Sequence, residues 1–238
     1  EFLVYEVDLI GIYDLPDTVC KNDLPYPLVP EVGTEDPFAT YSFSGPGVSG
    51  NRTDGFYFDP EAPEVVTGQN KISLDYTSSN GCKVNMAASI YVALVPQLSF
   101  KPDLICLSSE GSVVPFTNLT LQKENIASWS WEFGDPASGT QNLSELVNPE
   151  HFYDESGPRT IVLEAVTHEG CLARHTLDTL LADFPQVNFT WETDCYSEDQ
   201  AIQLLATVET EFSDLDTLLW SIGSLGGEKT DVIGKSPG

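Results

Sequence analysis

The sequence predicts an all-β chain of small domains in tandem, the last one truncated. Three observations carry this. Apolar and polar residues alternate in short runs, turn residues separate the runs, and cysteines recur at a near-constant interval. A chain of 238 residues is long enough for two or three such domains. Hydrophobic residues make up 41%, enough to give each a core and to set aside a disordered acidic tail.

The strands come first. Trp129, Trp131 and Phe133 share one face, with Ser128, Ser130 and Glu132 on the other. Ile161, Leu163 and Ala165 make a second inward series, and Ile72, Leu74 and Tyr76 a third. Period two over four to eight residues is the mark of half-buried strands. Gly45-Pro46-Gly47, Asn80-Gly81, Gly134-Asp135-Pro136 and Ser156-Gly157-Pro158 punctuate them as turns. Ile202 to Val208 has the composition of a helix, but it aligns with Val113 to Asn118 in the repeat below, which predicts a strand.

The repeat is read from spacings. Cys82 and Cys171 each follow a turn glycine; Cys20, Cys106 and Cys195 each follow a short strand-like run. Cys20 to Cys106 is 86 residues, while Cys106 to Cys195 and Cys82 to Cys171 are both 89. Pro96-Gln97 precedes Cys106 as Pro185-Gln186 precedes Cys195, and Trp131 and Trp220 each follow their cysteine by 25 residues. Three landmarks in one register indicate a duplicated unit. The expected domains are 11–94, 95–183 and a truncated 184–238, with 1–10 as the end of a preceding repeat or a linker. Truncation accounts for the odd cysteine, because the third closing cysteine would fall beyond Gly238; an unpaired reactive thiol is the competing account. The native protein is expected to continue in both directions.

Charge narrows the function classes. Ten Lys and Arg stand against 37 Asp and Glu, a net charge of −27. Nucleic-acid binding needs cations to replace phosphate counterions, so it is excluded as a role. No apolar run of ~18 residues occurs, so no helical membrane insertion is expected. Acidity suits either a soluble extracellular rod or a calcium site built from carboxylates. No Gly-x-Ser-x-Gly elbow, His-Glu-x-x-His helix or glycine-rich phosphate loop is present, and the chain is read as no enzyme.

Residues 95–183 resemble a PKD domain. The resemblance rests on Trp131-Glu132-Phe133-Gly134-Asp135, then Asn148-Pro149-Glu150-His151-Phe152-Tyr153, then Gly157 before the Ile161 strand. Asp135-Pro136 replaces the commoner Asp-Gly, which stiffens the turn. Residues 11–94 resemble the immunoglobulin-like repeats of large Bacteroidota surface proteins, through Leu15 to Cys20, Phe43 to Val48, Phe58-Asp59-Pro60 and Asn80-Gly81-Cys82. Residues 184–238 keep Trp220-Ser221-Ile222-Gly223 but lose the aspartate, as a degenerate PKD-like unit. The resemblance implies a two-sheet sandwich for each unit. It also implies adhesion, gliding-motility filaments or spacing at the cell surface, after export by a type IX system.

Specific roles follow. Disulfides Cys20–Cys82 and Cys106–Cys171 are expected, each closing about sixty residues for ~4 kcal/mol; no zinc-type cysteine spacing competes. Trp131 is expected in the core, with Trp129 beside it; Trp129 or Trp191 as a carbohydrate platform is the alternative. Phe133, Gly134, Asn148, Pro149, His151 and Tyr153 are expected to be structural, and His168 and His175 to lie on the surface. Calcium is the one cofactor considered, at Asp135, Asp183 and Asp103. Thr18, Thr179 and Thr217 stand in Asp-Thr-apolar triplets similar to the O-glycosylation acceptor of exported Bacteroidota proteins. The expected partners are neighbouring repeats and a surface glycan or protein. The expected function is a non-catalytic spacer and adhesion module, extracellular or on the cell surface. The alternative is an accessory region of a secreted protease or polysaccharide-degrading enzyme.

Overall fold

A computed structural model describes residues 9–33, 36–192, 203–212, 217–223 and 229–234. The chain divides into two compact units. The first holds Glu1–Leu98, Thr120–Ser128 and Glu164–Arg174; the second holds Ser99–Leu119, Trp129–Leu163 and His175–Gly238. The described residues are strands joined by turns, with two short 3-10 segments at Lys123–Asn125 and Pro136–Asn142. The fold class is therefore all-β. Among these residues no helix is long and apolar enough to cross a membrane.

Nine strands precede residue 94: β1 (Leu9–Ile12), β2 (Thr18–Cys20), β3 (Tyr26–Leu28), β4 (Pro30–Val32), β5 (Thr40–Ser44), β6 (Val48–Asn51), β7 (Gly55–Phe58), β8 (Gly68–Thr77) and β9 (Lys83–Ala93). They form a sheet in the order β2-β9-β8-β5, a second in the order β3-β7-β6, and the pair β1-β4. Alternation decides the buried face. Along β8, Asn70, Ile72, Leu74 and Tyr76 are buried, as their period of two requires. Ile72 and Leu74 meet Val19, Leu28, Phe43, Phe58, Val65, Ile90 and Val92 in one core. Phe43 on β5 lies edge-on to Phe56 on β7 at 5.4 Å, so the two larger sheets share that core. Each fully buried side chain of this size stabilises by about 1.5–3 kcal/mol. Buried Asn70 is satisfied locally: its Nδ2 donates to the Val66 carbonyl at 2.7 Å and its Oδ1 accepts the Val66 amide at 3.2 Å.

The next eight strands are β10 (Phe100–Pro102), β11 (Cys106–Leu107), β12 (Ser112–Asn118), β13 (Ile126–Glu132), β14 (Leu143–Ser144), β15 (Glu150–Tyr153), β16 (Gly157–Thr167) and β17 (Leu172–Asp183). They make a sheet β10-β12-β15 and a sheet β11-β17-β16-β13-β14. Aromatic rings join the two. Phe100 of β10 meets Trp131 of β13 at 4.9 Å, and Phe116 of β12 stacks on Phe133 at 5.2 Å. Trp131 is 1% exposed and Trp129 8%, so the core expectation holds for both. β16 is buried at Ile161, Val162 and Leu163 in succession, so both of its faces are covered there.

Beyond these lie two antiparallel pairs, β18 (Gln186–Glu192) with β19 (Gln203–Glu209), and β20 (Leu218–Gly223) with β21 (Lys229–Gly234). Residues 203–209 are thus a strand, as the repeat register predicted against their helix-like composition. Trp191 stands 62% exposed on β18. Residues 1–8, expected to end a preceding repeat, lie outside the described residues, as does Cys195.

Candidate functional site

The motif residues between 131 and 153 come together as a structural latch. Gly134 has φ of +69°, a region that suits glycine, and a Cβ there would lie 2.5 Å from the Thr160 carbonyl oxygen. The turn therefore needs glycine both for its backbone and for its close approach to β16. After it, Pro136 opens the 3-10 segment, whose last residue, buried Asn142, closes the loop. Its Oδ1 accepts the Asp135 amide at 2.7 Å, and its carbonyl accepts the Phe133 amide at 3.0 Å.

Side chains complete the latch. His151 Nε2 and Asp135 Oδ2 are 2.9 Å apart, and both residues are buried. The His151 ring stacks on Phe133 at 4.6 Å and meets Tyr153 edge-on at 4.5 Å. Tyr153 is fully buried, and its hydroxyl donates to the Phe133 carbonyl at 2.7 Å. Burial pushes its phenol well above the usual tyrosine value. Trp131 Nε1 donates to the Leu146 carbonyl at 2.8 Å. Asn148 Oδ1 accepts the Asn118 amide at 3.0 Å, and the Pro149 carbonyl accepts the Phe116 amide at 2.9 Å. The motif predicts that His151 hydrogen-bonds a turn without naming the partner, and that partner is Asp135 of the 134–136 turn. Sixteen residues separate the partners, and only the placement of β15 against the 134–135 turn brings them together.

The three calcium candidates do not converge. Asp135 faces His151. Asp103 accepts the Thr117 hydroxyl and pairs with Lys101 at 3.1 Å, and these contacts hold its carboxyl below the usual range. Asp183 accepts the amides of Phe212 and Glu211 at 3.0 and 3.1 Å, which lower its carboxyl likewise. Among the described residues no cluster of three His, Cys, Asp or Glu side chains could hold a metal. Thr18 on β2 and Thr217 are exposed, and Thr179 on β17 is half-buried. His168 is exposed as expected, but His175 is half-buried, its ring edge-on to Phe100 at 5.5 Å.

A shallow cleft of about 220 Å³ in the first unit is lined by Pro30, Val32, Asp36, Pro37, Ala39, Tyr41 and Tyr76. Its polar groups are occupied locally. Asp36 accepts the Ser79 and Phe38 amides at 2.7 and 3.2 Å, and the Arg52 guanidinium lies 5.8 Å from the centre of the Tyr41 ring. This arrangement holds no nucleophile beside a base.

The cysteines require a correction. Neither Cys20–Cys82 nor Cys106–Cys171 is the observed bridge. Cys20 is joined to Cys171, 151 residues away, with a Cα–Cα distance of 5.5 Å. The reason is strand register. β2 runs parallel to β9 and places Cys20 opposite Ala93, at the end of β9. Cys82 lies at the turn before Lys83, at its beginning. Eleven residues of strand separate those ends by about 35 Å, and a disulfide needs Cα atoms within about 7 Å. The second set of strands repeats the problem. Cys106 lies opposite Ala182 at the end of β17, while Cys171 precedes its first residue.

The two turn cysteines share one hairpin geometry. Cys82 N–H donates to Ser78 Oγ at 3.1 Å, and Cys171 N–H to Thr167 Oγ1 at 3.1 Å. The Cys82 carbonyl accepts the Ser78 amide, and the Cys171 carbonyl the Thr167 amide, both at 2.9 Å. Gly81 and Gly170 carry φ of +82° and +88°. The 89-residue interval thus marks a repeated turn, and Asn22 Nδ2 donates to the Leu172 carbonyl beside the bridge at 3.3 Å.

No family model matches the chain, and no curated protein matches it. Among solved structures it is similar to the D00–D0 domain of intimin, at 14% identity and a TM-score of 0.27, over 71% of this chain and 98% of that one. It is similar to a Bacteroides ovatus mixed-linkage glucan utilization locus protein, SGBP-B, in complex with a mixed-linkage heptasaccharide, at 11% identity and a TM-score of 0.26, over 92% and 65%. A tetra-tandem repeat in the extending region of a large adhesion protein matches at 13% identity and a TM-score of 0.27, over 83% and 55%. None of these likenesses identifies a function.

Proposed function

We propose that the chain is a non-catalytic segment of a large bacterial cell-surface or secreted adhesin-like protein, serving as a spacer and adhesion module. The observation that carries this is the Cys20–Cys171 bridge. It makes one covalent loop of 151 residues, so a pull along the chain bypasses most of that loop. A bridge of that kind persists in oxidising, extracellular surroundings. The motif supports the same reading, because its polar groups are engaged in holding the fold.

On this reading residues 11–94 are an immunoglobulin-like repeat, 95–183 a PKD domain and 184–238 part of a further PKD-like unit. Bacteroidota origin, type IX export and a role in gliding motility belong to the proposal, as does a surface glycan or protein ligand. Calcium at Asp103, Asp135 or Asp183 belongs to the proposal as well, with the cation competing against the protein partner that each carboxylate has.

Single-molecule pulling from the two termini tests the spacer role. Unfolding the oxidised chain should release about 500 Å less contour length than the reduced chain, from 151 residues at roughly 3.3–3.6 Å each. Equal lengths would remove the mechanical argument. Turnover of any member of a glycan or peptide panel by the purified chain would overturn the non-catalytic reading.

A further inference from the structure

The chain holds a second half-bridge. We propose that Cys106 is the acceptor for a disulfide from the hairpin-turn cysteine of a following repeat, so that such bridges link successive repeats in a stagger. This needs the repeat frame and the observed bridge, not the adhesive reading.

Cys106 alone would carry nothing; its counterpart carries the case. Cys20 and Cys106 occupy the same place, on a short strand parallel to the end of the last strand in the set, opposite Ala93 and Ala182 respectively. Cys20 at that place is bonded to the turn cysteine of the next set, Cys171. Cys106 is half-buried and holds a thiol. Its own turn cysteine is already joined to Cys20, and in any case lies a strand's length away.

A second observation concerns the segment that follows each set. In the first unit, Leu94 and Gln122 line one cleft of about 250 Å³ together with Tyr91, Pro96 and Asn125. Eighty-nine residues later the same two positions are Asp183 and Glu211, and there the Asp183 carboxylate accepts the Glu211 amide at 3.1 Å. Phe212 beside it lies 3.8 Å from where a Cβ on Gly157 would stand. At the first place the two positions border one cleft, and at the second they are hydrogen-bonded. A turn cysteine in a repeat seated there would stand to Cys106 as Cys171 stands to Cys20.

The chemistry is an oxidation. Each thiol loses its proton, the two sulfurs form one S–S bond, and two electrons pass to a disulfide oxidant, which leaves as two thiols. Oxidised glutathione serves as that oxidant in the test.

Two measurements decide it. In the 238-residue chain, alkylation without denaturant or reductant should label Cys106 and leave Cys20 and Cys171 unlabelled. In a lengthened chain, residues 184–238 are replaced by a second copy of 95–183, which restores a turn cysteine in register. After glutathione oxidation, non-reducing peptide mapping should find Cys106 joined to that copy's counterpart of Cys171. Cys20–Cys171 in the same molecule reports that the repeats have folded. A Cys106 thiol that stays alkylatable beside an intact Cys20–Cys171 bridge overturns the proposal. So does Cys106 joined to Cys195 in the original chain.

Discussion

Replacing Tyr153 by Phe removes one oxygen from the centre of the latch. The residue is fully buried, and its hydroxyl donates to the Phe133 carbonyl at 2.7 Å. The ring can stay where it is, edge-on to His151, so packing is kept and the hydrogen bond alone is lost. An ordinary hydrogen bond contributes about 1 kcal/mol net, but a buried acceptor deprived of its donor costs about 1–3 kcal/mol. For a domain of this size each kcal/mol moves the melting temperature by about 4–8 °C. Calorimetry should therefore show a fall of at least 4 °C. Phe152→Leu, at a 49% exposed position one residue away, is the control and should move the melt by less than about 3 °C. Equal shifts in the two variants would mean that the latch contributes no more than its neighbouring surface.

The remaining predictions use the same reasoning. Gly134→Ala puts a side chain at φ of +69° and 2.5 Å from the Thr160 oxygen, and should destabilise by more than about 2 kcal/mol in urea unfolding; a neutral result would refute the close approach. His151→Ala leaves the buried Asp135 carboxyl without its partner and should cost about 3 kcal/mol, larger than Tyr153→Phe; a smaller loss would count against the pair. The amides of Phe212 and Glu211 hold the Asp183 carboxyl below its ordinary value, so this contact is complete above about pH 4 and is lost as pH falls through the lowered value. The protection factors of the Glu211 and Phe212 amides, taken against the intrinsic exchange rate at each pH, should fall on acidification and be low at all pH in Asp183→Ala, which removes both acceptor oxygens; unchanged protection in that variant would refute it. Cys20→Ser opens a 151-residue loop and should destabilise the first unit by up to about 5 kcal/mol, read as a lower denaturation midpoint.

The strands were legible because their signal is local. Alternation through Trp129, Trp131 and Phe133 fixes which face of β13 is buried, and the repeat register assigns Ile202 to Val208 to a strand despite their composition, where the structure has Gln203–Glu209. The latch was half legible. Its residues stand in two short motifs, but the Asp135–His151 contact depends on how β15 is placed, which no spacing records. The cysteines show where sequence reading fails. Spacing identified a strand-end and a turn cysteine in each repeat, but not that a parallel β2–β9 pairing sets them at opposite ends of an 11-residue strand. Pairing each with its neighbour in sequence was therefore wrong, even though the frame itself reappears in the two matching turns.

The most direct test is a disulfide map of the unreduced 238-residue chain by proteolysis and mass spectrometry. The account predicts a linked pair of peptides carrying Cys20 and Cys171, absent after reduction. A linked pair carrying Cys20 and Cys82 would contradict it, since no antiparallel β8–β9 hairpin with β2 beside the end of β9 could bring those two sulfurs together.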